Sequence, residues 1–109
     1  MKTILMSILL LTTFLVKGQK TEVITKYENG NIQQIGYLDS NNQKDSLWLM
    51  YDKLGVVVGK AYFKNGKKVG VWEIFDGNGL KLIEITYSEG KKISGKQWEN
   101  GLLVSTKNY

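Results

Sequence analysis

An all-β protein, an antiparallel meander of about eight strands, follows from three features of this sequence. Short runs rich in Val, Ile, Tyr, Phe and Trp alternate with Asn-Gly, Glu-Gly and Asp-Gly-Asn-Gly, the pattern of strands closed by tight turns. Proline is absent, so no strand loses a ladder donor to it. The pattern also recurs. Aligning 44–67 with 68–91 at a period of 24 residues pairs Lys44 with Lys68, Trp48 with Trp72, Asp52 with Asp76, Gly55 with Gly79, Gly66 with Gly90 and Lys67 with Lys91. Conservative pairs keep the same register: Tyr51 with Phe75, Phe63 with Tyr87, Met50 with Ile74 and Val58 with Leu82. A fixed period of this length marks a repeat architecture.

Taken in order, the chain opens with Lys2, an apolar run from Ile4 to Val16 and a small residue at Gly18. That arrangement reads as a secretory signal peptide over 1–18, too short to span a membrane at roughly 20 apolar residues. A retained N-terminal anchor is the other reading of the same run. Cleavage after Gly18 leaves a single domain over 19–109, and the chain is expected to be exported to the periplasm, the cell envelope or the medium. Strands are then expected near 22–28, 31–38, 46–52, 56–63, 70–76, 80–87, 93–98 and 102–107. Two-residue turns are expected at Asn41-Asn42, Asn65-Gly66 and Glu89-Gly90, because Asn and Gly tolerate the positive φ of a type I′ turn. Between them fall turns at Asn29-Gly30, Asp52–Gly55, Asp76–Gly79 and Asn100-Gly101, on the opposite edge of the meander.

Composition narrows the function classes. The chain has no Cys, so a domain this small rests on strand pairing and aromatic packing rather than disulfides. All 15 cationic residues are Lys; removing Lys2 and Lys17 leaves 13 against 10 acids, a net charge of +3 after cleavage. A mildly basic exported chain without Arg is not expected to bind nucleic acid, which is gripped by Arg-rich clusters.

The stretch KNGKKVGVWEIFDGNG at 64–79 resembles the MORN repeat, especially its bacterial variant, in which an aromatic and Asn-Gly precede Gly-x-Trp and a second Asp/Asn-Gly turn. YENGNIQQIGYL at 27–38 and YSEGKKISGKQWENG at 87–101 are similar to the same unit. The chain departs from the pattern at Asn42, at Ser46, where the Gly before Trp is lost, and around Lys96, where the aromatic moves to Trp98. The resemblance implies an elongated twisted sheet serving protein–protein or membrane-proximal contacts. Related bacterial chains are often labelled antitoxins, a role that a signal peptide argues against.

With neither His nor Cys, nucleophilic triads and thiolate or imidazole metal sites are excluded, and no cofactor is implied. The acids Glu28, Asp52, Asp76 and Glu99 flank turns, where carboxylates serve structure rather than paired catalysis. The chain is therefore expected to be a non-enzyme.

Two sets of residues remain as binding candidates. The aromatics Trp48, Trp72, Phe63 and Tyr87, with Tyr51 and Phe75, are expected to stack across strands mainly as core, while Trp98 is expected to be exposed. The lysines Lys44, Lys64, Lys67, Lys68, Lys91 and Lys92 gather on one edge, opposite the acidic edge, which Lys53 alone relieves. An unidentified protein partner, met through a sheet face or a free edge strand, is the first expectation. An anionic membrane surface or an envelope glycan is the rival.

Overall fold

The computed structural model describes residues 20–109. The expected signal peptide over 1–18 lies outside the described residues. Eight strands follow one another in sequence order across one antiparallel sheet: β1 (Thr21–Lys26), β2 (Ile32–Leu38), β3 (Lys44–Tyr51), β4 (Val57–Lys64), β5 (Lys67–Phe75), β6 (Lys81–Ser88), β7 (Lys91–Glu99) and β8 (Leu102–Asn108). No helix occurs among the described residues, and β1 and β8 remain free edges.

Among the described residues substantial contacts join only strands adjacent in sequence, and no second layer of them covers either face. Most domains bury one face of a sheet against another element. This sheet instead makes its core from its own side chains, and among the described residues only Gly36, Trp48, Gly59, Ala61 and Tyr87 are buried.

Turn chemistry sets the register. Asn65-Gly66, Glu89-Gly90 and Asn100-Gly101 carry positive φ at both residues (52° and 79°, 47° and 86°, 52° and 80°), as a type I′ hairpin requires. The Asp52 and Asp76 turns are longer. The amides of Gly55 and Gly79 donate back to the carbonyls of Asp52 and Asp76 at 3.1 and 3.0 Å, which makes a type I turn followed by a left-handed glycine. Asn41-Asn42, expected as a two-residue turn, instead closes a loop of this second kind: the Asn42 amide donates to the Asp39 carbonyl at 3.0 Å. The cause is Asp39, whose Oδ1 accepts from the amides of Asn41 and Gln43 at 2.9 and 3.0 Å. Asp52 does the same for Leu54 and Val56, and Asp76 for Asn78 and Leu80.

The repeat survives at Ser46, although its glycine does not. Ser46 has φ 66° and Gly70, 24 residues later, has φ 70°. At both places the pairing with the preceding strand is interrupted: β2 and β3 slip between Ile35 and Tyr37, and β4 and β5 between Lys60 and Tyr62. Tryptophan fills each gap, the Trp48 Nε1–H donating to the Tyr37 carbonyl at 3.2 Å and the Trp72 Nε1–H to the Tyr62 carbonyl at 3.0 Å. Gly36 leaves room for this: a Cβ there would stand 2.0 Å from the Trp48 ring.

In β7 the period breaks. Thr86 pairs with Ser94 but Tyr87 with Lys92, leaving Ile93 as a bulge. Where β5 inserts two residues against β4, between Tyr62↔Val69 and Lys60↔Glu73, β7 inserts only one, so every later residue comes one position early and its side chain takes the face opposite to that given by the 24-residue period. Gly95, 23 residues after Trp72, therefore takes the place that tryptophan holds in the preceding unit, and Trp98 takes the place of Phe75.

Candidate functional site

Register assigns each side chain to a face. The first face carries Trp48, Phe63, Trp72 and Tyr87, an unbroken row with ring centroids 6.2, 5.1 and 4.9 Å apart. Edge-to-face contacts of this kind contribute about 0.5–1.5 kcal/mol each beyond area burial. Trp48 and Tyr87 are 4% and 7% exposed, whereas Phe63 and Trp72 are half-buried. The third unit has no tryptophan on this face, and the ring of Tyr109 lies against Gly95 in its place.

Lysines lie on these rings at the same period. The Nζ of Lys44 stands 4.8 Å from the Trp48 ring centre and 5.1 Å from Phe63; that of Lys68 stands 5.0 Å from Trp72 and 5.2 Å from Tyr87. Lys92 and Lys107 flank Tyr109 at 5.5 and 4.7 Å. Each exposed cation–π contact is worth about 0.5–1 kcal/mol. These exposed lysines thus set their ammonium groups over the rings.

The second face has a different electrostatic character. Glu22, Asp45, Glu73 and Glu84 all point there by register. Lys81 bridges Glu73 at 2.8 Å and Glu84 at 3.1 Å, and Lys96 approaches Glu84 at 3.8 Å. The hydrogen bond to Glu73, then that to Glu84, raises the Lys81 pKa above the usual lysine value. The first face holds no acid within its strands except Glu99, the last residue of β7, at the far turn. Among the described residues Lys44, Lys68, Lys92 and Lys107 form no ion pair.

The six edge lysines are brought together in part. All are exposed and all stand at the β3–β4–β5–β6–β7 turn edge, where Lys64 pairs with Lys67 across the hairpin. Alternation sends Lys44, Lys68 and Lys92 onto the aromatic face and Lys64, Lys67 and Lys91 to the other. The opposite edge is less available than its composition implies, because the carboxylates of Asp52 and Asp76 are engaged by turn amides.

Tyr51, Phe75 and Trp98 line the second face. The Tyr27 hydroxyl donates to the Tyr51 carbonyl at 2.6 Å, Lys60 lies 5.7 Å from the Phe75 ring centre and Lys81 lies 5.2 Å from that of Trp98. Trp98, expected to be exposed, is half-buried, because the Ile93 bulge turns it into the row of Phe75 beneath Lys81. Lys107 and Tyr109 fall outside the period, and sequence reasoning passes over them; Gly95 becomes a signal for Tyr109 only once the bulge is known. Among the described residues no group of three or more acids converges as a metal site.

A second surface is the free edge at β8. All seven of its residues are exposed, and Leu102, Leu103 and Val104 present 71%, 52% and 52% of their surface to solvent.

No family model matches this chain, and no curated protein or solved structure does.

Proposed function

We propose that this chain is a non-catalytic interaction module of the cell envelope or exterior, of the MORN-like repeat class, that takes a protein partner by strand addition at β8. The observation that carries this reading is the unprotected edge. A free strand presents unpaired amides and carbonyls, and proteins usually guard such edges with charge. β1 has Glu22 and Lys26 for that purpose, with Lys20 just before it, whereas the Leu102–Val104 half of β8 has none. Backbone hydrogen bonds to an added strand would supply affinity, and the exposed apolar residues the side-chain contacts. The resemblance of 64–79 to the MORN repeat points to the same class of role, and the absence of His and Cys supports a non-catalytic one.

Cross-linked capture from an envelope fraction tests it, with three baits: wild type, Leu103→Lys/Val104→Lys, and Lys68→Gln/Lys92→Gln. Capture of the same partner by wild type and by the glutamine variant, with loss in the edge variant, is expected. Equal capture by the edge variant contradicts strand addition.

A further inference from the structure

We infer that the first face is a binding site for a linear acidic polysaccharide, lying across the strands along the row Lys44, Lys68 and Lys92, with Lys107 at its end. This site is separate from the β8 edge, and the proposal stands or falls independently of strand addition.

Three observations carry it. The first is the segregation of charge. The four lysines on this face have no acidic partner, while the strand acids other than Glu99, at the far turn, lie on the other face and three of its lysines stand over them or beside an aromatic ring: Lys81, Lys96 and Lys60. An anionic ligand on the first face meets cations without displacing a carboxylate. Nothing in general stability requires such sidedness, since lysines on either face would solubilise the sheet equally well.

The second observation is positional order. A lysine on an exposed surface ordinarily samples many rotamers, and holding it at a ligand costs conformational entropy. Here Lys44 and Lys68 each lie against two rings, and Lys92 against Tyr109, so their ammonium groups are held above the sheet before any ligand arrives. Tyr109 restores the ring that the third unit lacks, and thereby keeps the last lysine in line with the others.

The third observation is spacing, which selects the ligand class. Lys44, Lys68 and Lys92 begin β3, β5 and β7, so successive cations are two strands apart, about 10 Å. A nucleic-acid strand carries a phosphate every ~3.4 Å and would leave most of its charges unmatched on so sparse a row. A polysaccharide with one carboxylate on every second sugar presents charge at a comparably wide interval.

The test uses the chain with its natural edge intact and hyaluronan as probe, which bears one carboxylate per disaccharide. Neutral dextran, a single-stranded oligothymidylate and phosphatidylglycerol vesicles are the comparison ligands. Binding is followed by calorimetry and by tryptophan emission, because Lys44 and Lys68 rest on Trp48 and Trp72. Two variants of equal net charge are compared: Lys44→Gln/Lys68→Gln/Lys92→Gln on the first face, and Lys26→Gln/Lys60→Gln/Lys96→Gln on the second. Salt-sensitive binding of hyaluronan but not dextran, with an emission change, is expected. The first-face variant should lose roughly tenfold or more in affinity and the second-face variant little, since each exposed charge contact contributes modestly. Circular dichroism confirms that both variants keep the β fold. Equal losses in the two variants, no binding by wild type, or preference for the oligonucleotide or the vesicles over hyaluronan would each overturn the proposal.

Discussion

Ser46 shows how a repeat is held by backbone shape rather than residue identity. Its φ of 66° matches the 70° of Gly70, and only from that geometry does Trp48 reach across Gly36 to the Tyr37 carbonyl. A non-glycine residue there is strained by roughly 1–2 kcal/mol. Ser46→Val should therefore destabilise by about that amount or more, since a β-branched side chain is least tolerant of positive φ, while Ser46→Gly should be at least as stable as wild type. Urea unfolding measures both, and a neutral valine would contradict the strained geometry. The tryptophans separate by burial in the same assay. Trp48→Ala should cost about 3–5 kcal/mol as a buried aromatic. Trp72→Ala and Trp98→Ala should cost less than Trp48→Ala and resemble one another, because both rings are half-buried beneath a lysine. The pairing of Trp48 with Trp72 is plain in the 24-residue register. The environment of Trp98 is not, because one bulged residue at Ile93 reverses the face of everything after it and leaves composition unchanged.

At the scale of the elements, strands and turns were legible because local chemistry and global register agree. Asn-Gly and Glu-Gly bring the positive φ that a tight hairpin needs, and every strand between turns alternates without a proline. The loop at Asp39 was not legible as such, since Asn41-Asn42 looks like a two-residue turn until the reach of the Asp39 carboxylate to two amides is seen. Asp39, Asp52 and Asp76 therefore form a predictable set. Replacing Asp52 or Asp76 by Ala removes two charge-assisted bonds to turn amides and should cost roughly 1–3 kcal/mol in thermal or urea unfolding. No measurable loss would mean that the turns hold without the carboxylate. The β5–β6–β7 region carries a pH signature of its own. The Lys81 pKa is raised in the folded chain by Glu73 and Glu84, so folding favours its protonated form. Its stabilisation is complete below the unfolded lysine value of 10.5 and is lost as pH rises through the higher folded value. The stability difference between wild type and Lys81→Met should thus shrink above pH 10.5, and a difference that persists at strongly alkaline pH would contradict the ion-pair account.

At the scale of the whole sheet, the described residues form a single layer whose strands hold only their neighbours, so its stability runs as a chain of pairwise interfaces from β1 to β8. The period alone indicated a meander, but it placed charge on two edges. The three-dimensional register shows a division by face as well, which depends on the alternation of β3, β5 and β7 and on the slip at Ile93. Open edges and an uncovered lysine face both depend on the described sheet being one layer in which β1 and β8 each pair on one side only. Residue-resolved amide hydrogen exchange on the monomeric chain tests that claim most directly. Protection should be greatest in β3 to β6, fall toward both ends, and be weakest at the outward-facing amides of β1 and β8, which exchange through local opening. Protection in β8 equal to that in β5 would contradict an open edge, and with it the single-layer sheet on which the proposed binding surfaces rest.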